Sequence, residues 1–329
     1  MKKFILIIIF LAGLLFTQDA LAVTISPPIK EFVADPGTEF GDIIKLINDG
    51  EIEQTFYATI EGFRAKGEKG EPEFFLTTDE TQLASWVTLE QTSVTLKPRE
   101  KKEIKYTVRV PEKASTGGQY AVIFWSSQPP AVTGITGVGV AMKIGSLLLV
   151  TVSGEIKEEI QLIDFSTPSK FYNRLPVKFA IGFENTGNVH IKPSGNIKIE
   201  PKILGIGKGE VTVNEGGGNV LPKSIRRFES TWIKKTVPQG TAKNIFSGFF
   251  EELQNEWNNF AFGCFKANLF LLFGQAQPQT MEKNLNFWVI PWRVILIGLI
   301  LTALIILILI RGIKAYNRWI IRKATKSSL

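Results

Sequence analysis

The feature that most constrains this chain is an apolar run close to its C-terminus. Val294 to Ile310 holds seventeen consecutive residues that are aliphatic or are Ala, Gly or Thr. A helix rising about 1.5 Å per residue would carry them across roughly 25 Å of the ~30 Å hydrocarbon core of a bilayer. Extending the run toward the N-terminus through Trp288 completes the span. The sequence therefore predicts a single transmembrane helix at 288–310, in contact with membrane lipid.

Residues on both sides of this run predict its placement in a membrane. The two tryptophans before it suit the aromatic belt at a membrane–water interface, and the arginine that follows them is long enough to reach outward into water. The segment 311–329 contains six Lys or Arg residues and no acidic residue. By the positive-inside rule this basic tail faces the cytoplasm, and residues 23–287 are extracellular. The residues predicted at the membrane interface are Trp288, Trp292, Arg293 and Arg311.

The N-terminal residues 1–22 have the pattern of a secretory signal peptide. Two lysines precede an apolar stretch from Phe4 to Phe16, and Ala20-Leu21-Ala22 forms an A-x-A cleavage site. An uncleaved N-terminal anchor is the alternative. Together with the C-terminal run, this pattern predicts a single-pass protein of the cell membrane whose mature chain begins at Val23.

Charge and cysteine content narrow the class of protein further. The chain carries 38 Lys or Arg and 31 Asp or Glu residues, yet 29 basic and 30 acidic residues remain between positions 23 and 287. The positive excess therefore belongs to the membrane-flanking ends and does not indicate a nucleic-acid partner. Cys264 is the only cysteine, so no intramolecular disulfide forms and the exterior depends on core burial for its stability.

The predicted exterior has the sequence pattern of β-structure almost throughout. Segments 104–110, 177–183 and 265–273 alternate apolar with largely polar side chains, which is typical of strands with one solvent-facing side. Glycine-rich or polar turns separate such runs. These turns are Asp35-Pro36-Gly37, Asn48-Asp49-Gly50, Asn185-Thr186-Gly187-Asn188 and Glu215-Gly216-Gly217-Gly218.

This pattern predicts an all-β fold of two tandem immunoglobulin-like β-sandwich domains, followed by a single transmembrane α-helix. Charged residues between 155 and 159 follow an apolar run and mark the boundary. The first domain is expected at 23–154 and the second at 155–287. A helical insertion is expected near 245–258, within the second domain.

Several short motifs of the first half occur in a recognisable order. They are Pro36-Gly37, Asn48-Asp49-Gly50, Val94-Thr95-Leu96-Lys97-Pro98, Val110-Pro111 and Gly117-Gly118-Gln119-Tyr120-Ala121. In this order they resemble the N-terminal domain of bacterial WxL-interacting surface proteins. Those proteins also run from a signal peptide through two β-sandwich domains to one membrane helix and a short basic tail. The resemblance implies attachment to peptidoglycan by the first domain and partner binding by the second.

The sequence offers few groups suited to catalysis. His190, the only histidine, follows a turn at a strand entry, where a hydrogen-bonded structural role is favoured over catalysis. Cys264 lies among apolar residues, which favours a buried, inert thiol. The motifs of zinc proteases, serine hydrolases and nucleotide-binding loops are absent from the sequence. We therefore expect a non-enzyme with no catalytic, cofactor-binding or metal-binding residues. An envelope glycan hydrolase that uses some of the scattered acids is the alternative.

Two segments are candidates for interaction. The uncharged, Gly- and Pro-rich stretch 126–140 is either a binding loop or a flexible connection. The second segment places five apolar side chains on one face of a predicted helix. It docks on a partner, rests on the membrane interface, or packs across an open end of the sheet, and three nearby glutamates disfavour an anionic membrane surface. These candidate interaction residues are Phe246, Phe249, Phe250, Leu253 and Trp257.

Taken together, these features predict a membrane-anchored extracellular binding or scaffolding protein. Its expected partner is a cell-wall polymer or another surface protein, and its sheet edges offer a surface for strand addition. An accessory subunit of an envelope signalling or transport complex is a further alternative. The apolar run has no charged residue inside it, so a simple anchor accounts for it.

Overall fold

The computed structural model describes residues 23–129, 142–236, 245–274 and 278–326. The predicted signal peptide at 1–22 lies outside these ranges, and so does most of the loop 126–140. Contacts divide the chain into two compact units. The first comprises residues up to Gln161 together with Glu184–Ile191 and Val220–Ile225, and the second comprises Leu162–Phe183, Lys192–Asn219 and everything from Arg226 onward. The predicted boundary at residue 154 stays a prediction.

The first unit is built from two packed sheets. The smaller sheet has the order β1-β3-β8-β6, and the larger has the order β2-β10-β9-β4-β5 with β7 paired to β4. All described pairings are antiparallel except that of β2 with β10. The elements are β1 (Val23–Ser26), β2 (Ile29–Ala34), β3 (Glu39–Asn48), β4 (Gln54–Lys66), β5 (Glu71–Phe75), α1 (Leu83–Trp86), β6 (Val87–Leu89), β7 (Ser93–Leu96), β8 (Lys101–Arg109), β9 (Gly117–Ser126) and β10 (Lys143–Val152).

Alternating side chains form the core between these two sheets. In β8, Ile104, Tyr106 and Val108 are buried while Lys105 is exposed, as the sequence pattern predicts. The same core receives Trp125 from β9 of the facing sheet. Alternate residues of β8 are buried, and packing the two sheets face to face removes these side chains from water.

The N-terminal strand of the first unit changes sheet partway along. β1 pairs with β3, whereas β2 runs parallel to β10 of the other sheet. The buried hydroxyl of Ser146 donates to the carbonyl of Pro27 at this crossing, over 2.7 Å. Lys30 Nζ on β2 then lies 2.6 Å from Asp42 Oδ2 on β3, so one ion pair joins the two sheets. Burial acts to raise the pKa of Asp42, but the hydrogen bonds from Lys30 and from the Ile43 amide and the charge of Lys30 lower that pKa overall.

The second unit also contains two sheets. Their orders are β11-β13-β16 and β12-β18-β17-β14-β15. Phe287 on β18 lies at the centre of an aromatic core, with ring centroids 5.8 Å from Phe179, 6.1 Å from Trp232 and 5.7 Å from Phe265. The strands are β11 (Ile160–Ser166), β12 (Phe171–Tyr172), β13 (Val177–Asn185), β14 (Ser194–Ile206), β15 (Gly209–Val213), β16 (Ser224–Trp232), β17 (Phe262–Phe273) and β18 (Gln279–Val289).

Two helices complete the second unit. α2 occupies Ile245–Asn258, in the range predicted for the insertion, and α3 occupies Trp292–Lys326. The helical segment is displaced from the predicted 288–310, because Trp288 still pairs with Cys264 in the sheet and helix-forming residues continue beyond Ile310. The most apolar part of α3 is not buried against the protein. By length and composition α3 can cross a membrane, while the part of it that lies in lipid stays a prediction.

The described residues are thus mostly β-structure, with an apolar helix at the C-terminal end. That confirms the fold class in outline, whereas the immunoglobulin-like topology of each sandwich stays a prediction.

Candidate functional site

The apolar face predicted on α2 is split between the inside and the outside of the second unit. Phe249 and Leu253 are half-buried, whereas Phe250 is 61% and Trp257 is 69% exposed. The side chain of Phe246 lies outside the described residues. An apolar helix face normally turns toward a core because burial removes it from water. Two large aromatic side chains therefore remain available on the outer face of α2, and their predicted role in interaction stays a prediction.

Glu256 is one of the three glutamates near the predicted apolar face, and in the structure it is buried. Its side chain is fully buried, and both of its oxygens contact the start of α3. Oε1 accepts a hydrogen bond from Arg293 Nη1 over 2.8 Å, and Oε2 accepts the backbone N–H groups of Arg293 at 3.0 Å and Val294 at 3.2 Å. The first N–H groups of a helix have no partner within the helix and carry partial positive charge, so a carboxylate here stabilises the helix start.

The sequence predicts that Arg293 reaches outward into water, but in the structure its side chain packs against protein. Its side chain is only 18% exposed, with Glu252 Oε2 3.7 Å from Nη1 in addition to Glu256. Its guanidinium also lies 4.7 Å from the ring centroid of Trp292. Glu252 Oε2 lies 2.5 Å from Arg174 Nη1, so the two glutamates and two arginines form one charged cluster. Burial of a charge is costly unless the charge is paired, and Glu252 and Glu256 each lie against an arginine where they turn inward.

The other predicted membrane-interface residues lie along the same end of the chain. Trp288 and Trp292 are partly exposed, one at the end of β18 and the other at the first residue of α3. Arg311 is exposed in the middle of α3 and not at its end. The lone arginine between two apolar stretches was the signal that could have led to Glu256, because such a cation needs a partner.

An aromatic cluster on the outer side of the larger sheet of the first unit was not predicted. Phe63, Val122, Phe124 and Leu149 are buried there, and they pack with partly buried residues that include Tyr120. Lys143 Nζ lies 3.9 Å from the centroid of the Phe124 ring and 2.5 Å from Glu61 Oε1. Alternate residues of β9 point to the opposite side from the core, and the runs of apolar residues in β9 and β10 are the signal that both sides are covered.

β2 forms one edge of this same sheet. In the described part of the chain it pairs only with β10, and its outer side carries Ile29 and Val33, which are 47% and 74% exposed. Leu149, opposite Glu31 in the strand register, belongs to the aromatic cluster, so β2 extends that surface to the sheet edge.

His190 and Cys264, the two residues considered for catalysis, both pack against other protein groups. His190 packs against Tyr120 with ring centroids 5.8 Å apart, and its Nδ1 lies 3.4 Å from the Tyr120 hydroxyl. Burial raises the pKa of the Tyr120 hydroxyl above the ordinary value of a phenol. Cys264 is buried, as predicted.

Acidic residues of the described ranges do not assemble into a metal site, since no group of three or more His, Cys, Asp or Glu could hold an ion there. A groove of about 620 Å³ opens beside β15 and β16 in the second unit, with Glu210, Glu215 and Glu229 in its lining. Glu210 accepts a hydrogen bond from Asn196 over 2.7 Å. The expectation that the chain is not an enzyme stays a prediction.

No known protein-family profile matches the sequence, and no curated protein matches it. Among solved structures, the class 5 fimbriae chaperone CfaA is similar, with a TM-score of 0.39 and 13% identity over 80% of this chain and 99% of that chain. The E. coli chaperone DraB has a TM-score of 0.35 and 11% identity over 80% and 98%. The Pseudomonas aeruginosa CupB2 chaperone has a TM-score of 0.35 and 9% identity over 80% and 100%. At these values the likeness does not bear on function.

Proposed function

We propose that this chain is a non-catalytic binding protein, anchored to a membrane through α3, whose first unit binds an extended segment of a partner along the edge of β2. The observation that supports the proposal is the β2 edge, on which Ile29 and Val33 are exposed on either side of Glu31. Main-chain groups at a free sheet edge can pair with an added strand, and neighbouring side chains supply specificity.

The remaining edges of the first unit are protected in ways that β2 is not. β1 and β7 have four residues each and β6 has three, and short edge strands discourage pairing with another chain. β5 contains Pro72 between Glu71 and Glu73, and a proline with flanking charges blocks strand addition. The cation of β2, Lys30, is drawn across to Asp42 of the other sheet. On its outer side β2 carries one acidic residue, Glu31, between Ile29 and Val33, so this edge is the most apolar of the five but is not free of charge.

The anchor follows the last strand without a flexible connection. β18 ends at Val289 and α3 begins at Trp292, and the carboxylate of Glu256 binds the first turn of α3. An apolar helix of this length that is not buried in protein is stable in lipid and not in water. The proposal places the β-units on the extracellular side and the basic C-terminal tail in the cytoplasm, as the charge distribution predicts.

The backbone groups along the β2 edge indicate which class of partner can bind there. An extended polypeptide provides matching N–H and C=O groups along six residues of β2, whereas a polysaccharide does not provide this repeat. We therefore propose a surface protein as the first candidate partner. The resemblance to WxL-interacting proteins keeps a cell-wall polymer as the other candidate, and the experiment distinguishes the two.

The test is a binding measurement with the full chain in lipid nanodiscs, offered separately to purified wall polymer and to detergent-solubilised envelope proteins. The double variant Ile29→Asp, Val33→Asp should lose at least tenfold in affinity for one protein partner. The matched control is Ile52→Asp, a charge placed at a 45% exposed position of the same unit, which should bind normally. Wall-polymer binding that both variants retain would contradict the β2 edge as the site. Equal loss in both variants would also contradict it.

A further inference from the structure

Exposed aromatic side chains are concentrated where the second unit meets α3. Phe250 and Trp257 are seven residues apart, so about two turns of α2 separate them and they lie on one face of the helix. Both are more than 60% exposed. Exposed tryptophan on a folded domain has an energetic cost in water, which indicates a surface that is covered in the working protein.

The position of this face is fixed by the residue next to Trp257. The Glu256 carboxylate accepts hydrogen bonds from the amides of Arg293 and Val294, so α2 touches the first turn of α3. Helix axes in contact lie about 8–10 Å apart. The headgroup zone on each side of a bilayer is several ångströms deep. The outer face of α2 is therefore within reach of the headgroups wherever α3 enters lipid.

The charges of α2 are arranged so that its exposed face is not repelled from lipid. Glu252 and Glu256 turn inward to Arg174 and Arg293. Glu251 is half-buried and lies about 100° around the helix from Phe250. The objection that three glutamates disfavour a membrane surface, which holds for the sequence, thus does not hold for the exposed face of the folded helix.

Further apolar side chains continue the same surface. Trp288, Ile290 and Trp292, at the end of β18 and the start of α3, are each partly exposed. Phe171, which is opposite Trp288 in the strand register, is exposed as well. Tryptophan is enriched at membrane–water interfaces because its ring is apolar while its N–H remains hydrated.

We propose that α2 lies in the headgroup region of the membrane, with Phe250 and Trp257 in contact with lipid, and so provides a second membrane contact beside α3. This inference rests on the membrane anchoring in the proposed function. A lipid surface is the occupant that the structure favours, since the exposed face is continuous with α3. The consequence is that the second unit is held in one orientation on the membrane by two contacts, instead of swinging about a single helix.

Gln254 provides a way to measure this contact without removing it. It is exposed and lies between Phe250 and Trp257 along α2, about 40° around the helix from Phe250, so a spin label at this position leaves both aromatic side chains in place. The experiment uses the full chain with Cys264→Ala in phosphatidylcholine nanodiscs. Nitroxide labels are attached at Gln254→Cys, at Leu296→Cys within α3, and at Leu272→Cys. Leu272 is an exposed apolar position near the opposite end of the same sheet, opposite Thr280 in the strand register.

Accessibility to molecular oxygen and to a water-soluble nickel chelate is then compared at the three labels. We expect the oxygen-to-nickel ratio at residue 254 to be at least threefold higher than at 272 and lower than at 296. Adding Phe250→Ser and Trp257→Ser should return the ratio at 254 to the value at 272. Adding Ile52→Ser, at an exposed apolar position of the first unit, should leave the ratio at 254 unchanged. Circular dichroism melting of each variant verifies that the β-units remain folded.

Each other outcome contradicts the inference in a distinguishable way. A ratio at 254 equal to that at 272, with a lipid-like value at 296, would overturn the contact of α2 and leave the anchor standing. Low access of both reagents at 254 would indicate a protein partner on this face and would equally overturn lipid contact. An aqueous value at 296 would overturn the anchor itself and this inference with it.

Discussion

Two turns of this molecule are built from the same chemistry, one after β3 and one after β13. Asn48 ends β3 and Asn185 ends β13, and both side chains are buried. In each case Oδ1 accepts the N–H of the glycine two residues later, Gly50 at 3.0 Å and Gly187 at 2.9 Å. In each case Nδ2 donates to the carbonyl of the residue four positions later, over 2.8 Å and 2.7 Å.

The side-chain amides also donate to a second segment of the chain. Asn48 Nδ2 reaches the carbonyl of Leu96 at 3.0 Å, and Asn185 Nδ2 reaches the carbonyl of Val220 at 2.8 Å. One side chain thus makes hydrogen bonds to backbone groups of its own turn and of a second segment. The two halves of the chain therefore share a specific hydrogen-bonded clamp in addition to a sandwich architecture.

The turns differ in what else they hold. The second turn binds the segment 155–159: the amide of Gly187 lies 3.2 Å from the carbonyl of Glu159, and Asn188 exchanges backbone and side-chain hydrogen bonds with Lys157 and Glu155. The first turn has no counterpart of this segment among the described residues around it. The charged stretch that the sequence marks as the domain boundary is thus held by hydrogen bonds to the turn after β13.

The largest expected effect comes from removing the clamps themselves. Asn48→Ala should lower the free energy of unfolding by about 3 kcal/mol, because it leaves several backbone groups unpaired at about 1–3 kcal/mol per group. Asn185→Ala should cost less, about 2 kcal/mol, because the N–H of Gly187 and the carbonyl of Val220 keep backbone partners in Glu159 and Ile191. Guanidinium denaturation of the full chain in detergent measures the loss, and hydrogen exchange of the β3 and β13 amides locates it. A loss of stability in only one of the two variants would show that the two asparagines do not have the same role. Asn48→Asp and Asn185→Asp keep the acceptor and lose the donor, so they apportion the effect.

A smaller loss of stability is expected from Gly187→Ala. This variant tests the contact with segment 155–159, which only the second turn makes. An added Cβ would lie 2.1 Å from the carbonyl oxygen of Lys157, and backbone would have to move. Overpacking of this kind costs about 1–3 kcal/mol. Hydrogen exchange should rise at residues 157–159 and remain unchanged around Asn48. Unchanged exchange at 157–159 would show that the second turn does not hold this segment. Gly216→Ala is the control, since nothing lies within 4 Å of a Cβ there.

Asn188→Ala also tests whether the second turn holds segment 155–159, with a smaller expected loss of stability. It removes the hydrogen bonds to Lys157 N and Glu155 O, both at 2.7 Å, from an exposed site where water can replace them. We expect a loss of about 1 kcal/mol. Limited proteolysis near residue 155 should become several-fold faster in this variant. Cleavage at the wild-type rate would indicate that the Gly187 contacts alone fix the segment.

The smallest expected effect tests whether the buried amide clamps contribute more to the free energy of unfolding than an ion pair does. The ion pair of Lys30 and Asp42 joins the two sheets of the first unit and is partly exposed to water, so Lys30→Met should cost less than about 1 kcal/mol. The pKa of Asp42 is lowered in the folded chain, so its contribution is present above the ordinary carboxyl pKa of about 3.9 and fades as the pH falls below it. The difference between wild type and variant should therefore shrink in acid, as measured by unfolding at pH 7 and pH 3. A difference that grows in acid would contradict the assignment.

Much of the fold could be predicted because strands and helices leave a periodic pattern in the sequence. The alternation in 104–110 predicts β8, and the spacing of apolar residues near 250 predicts α2. The candidate site was predicted less well. Phe250 and Trp257 were correctly grouped on one helix face, but periodicity alone gives no sign of which part of an apolar face is buried against the protein. The free edge of β2 was not predictable either, since it depends on strand order.

The sequence by itself determined the predominance of β-structure, the turns, the apolar C-terminal helix and the burial of Cys264. These depend on local propensity and on spacing, which are properties of neighbouring residues. Only the tertiary structure decided that Glu256 is buried at the start of α3 and that Asn48 and Asn185 act as clamps. It also decided that β18 continues through Trp288. These features join residues that are from 4 to more than 30 positions apart, and a buried polar group is defined by the partners that folding brings to it.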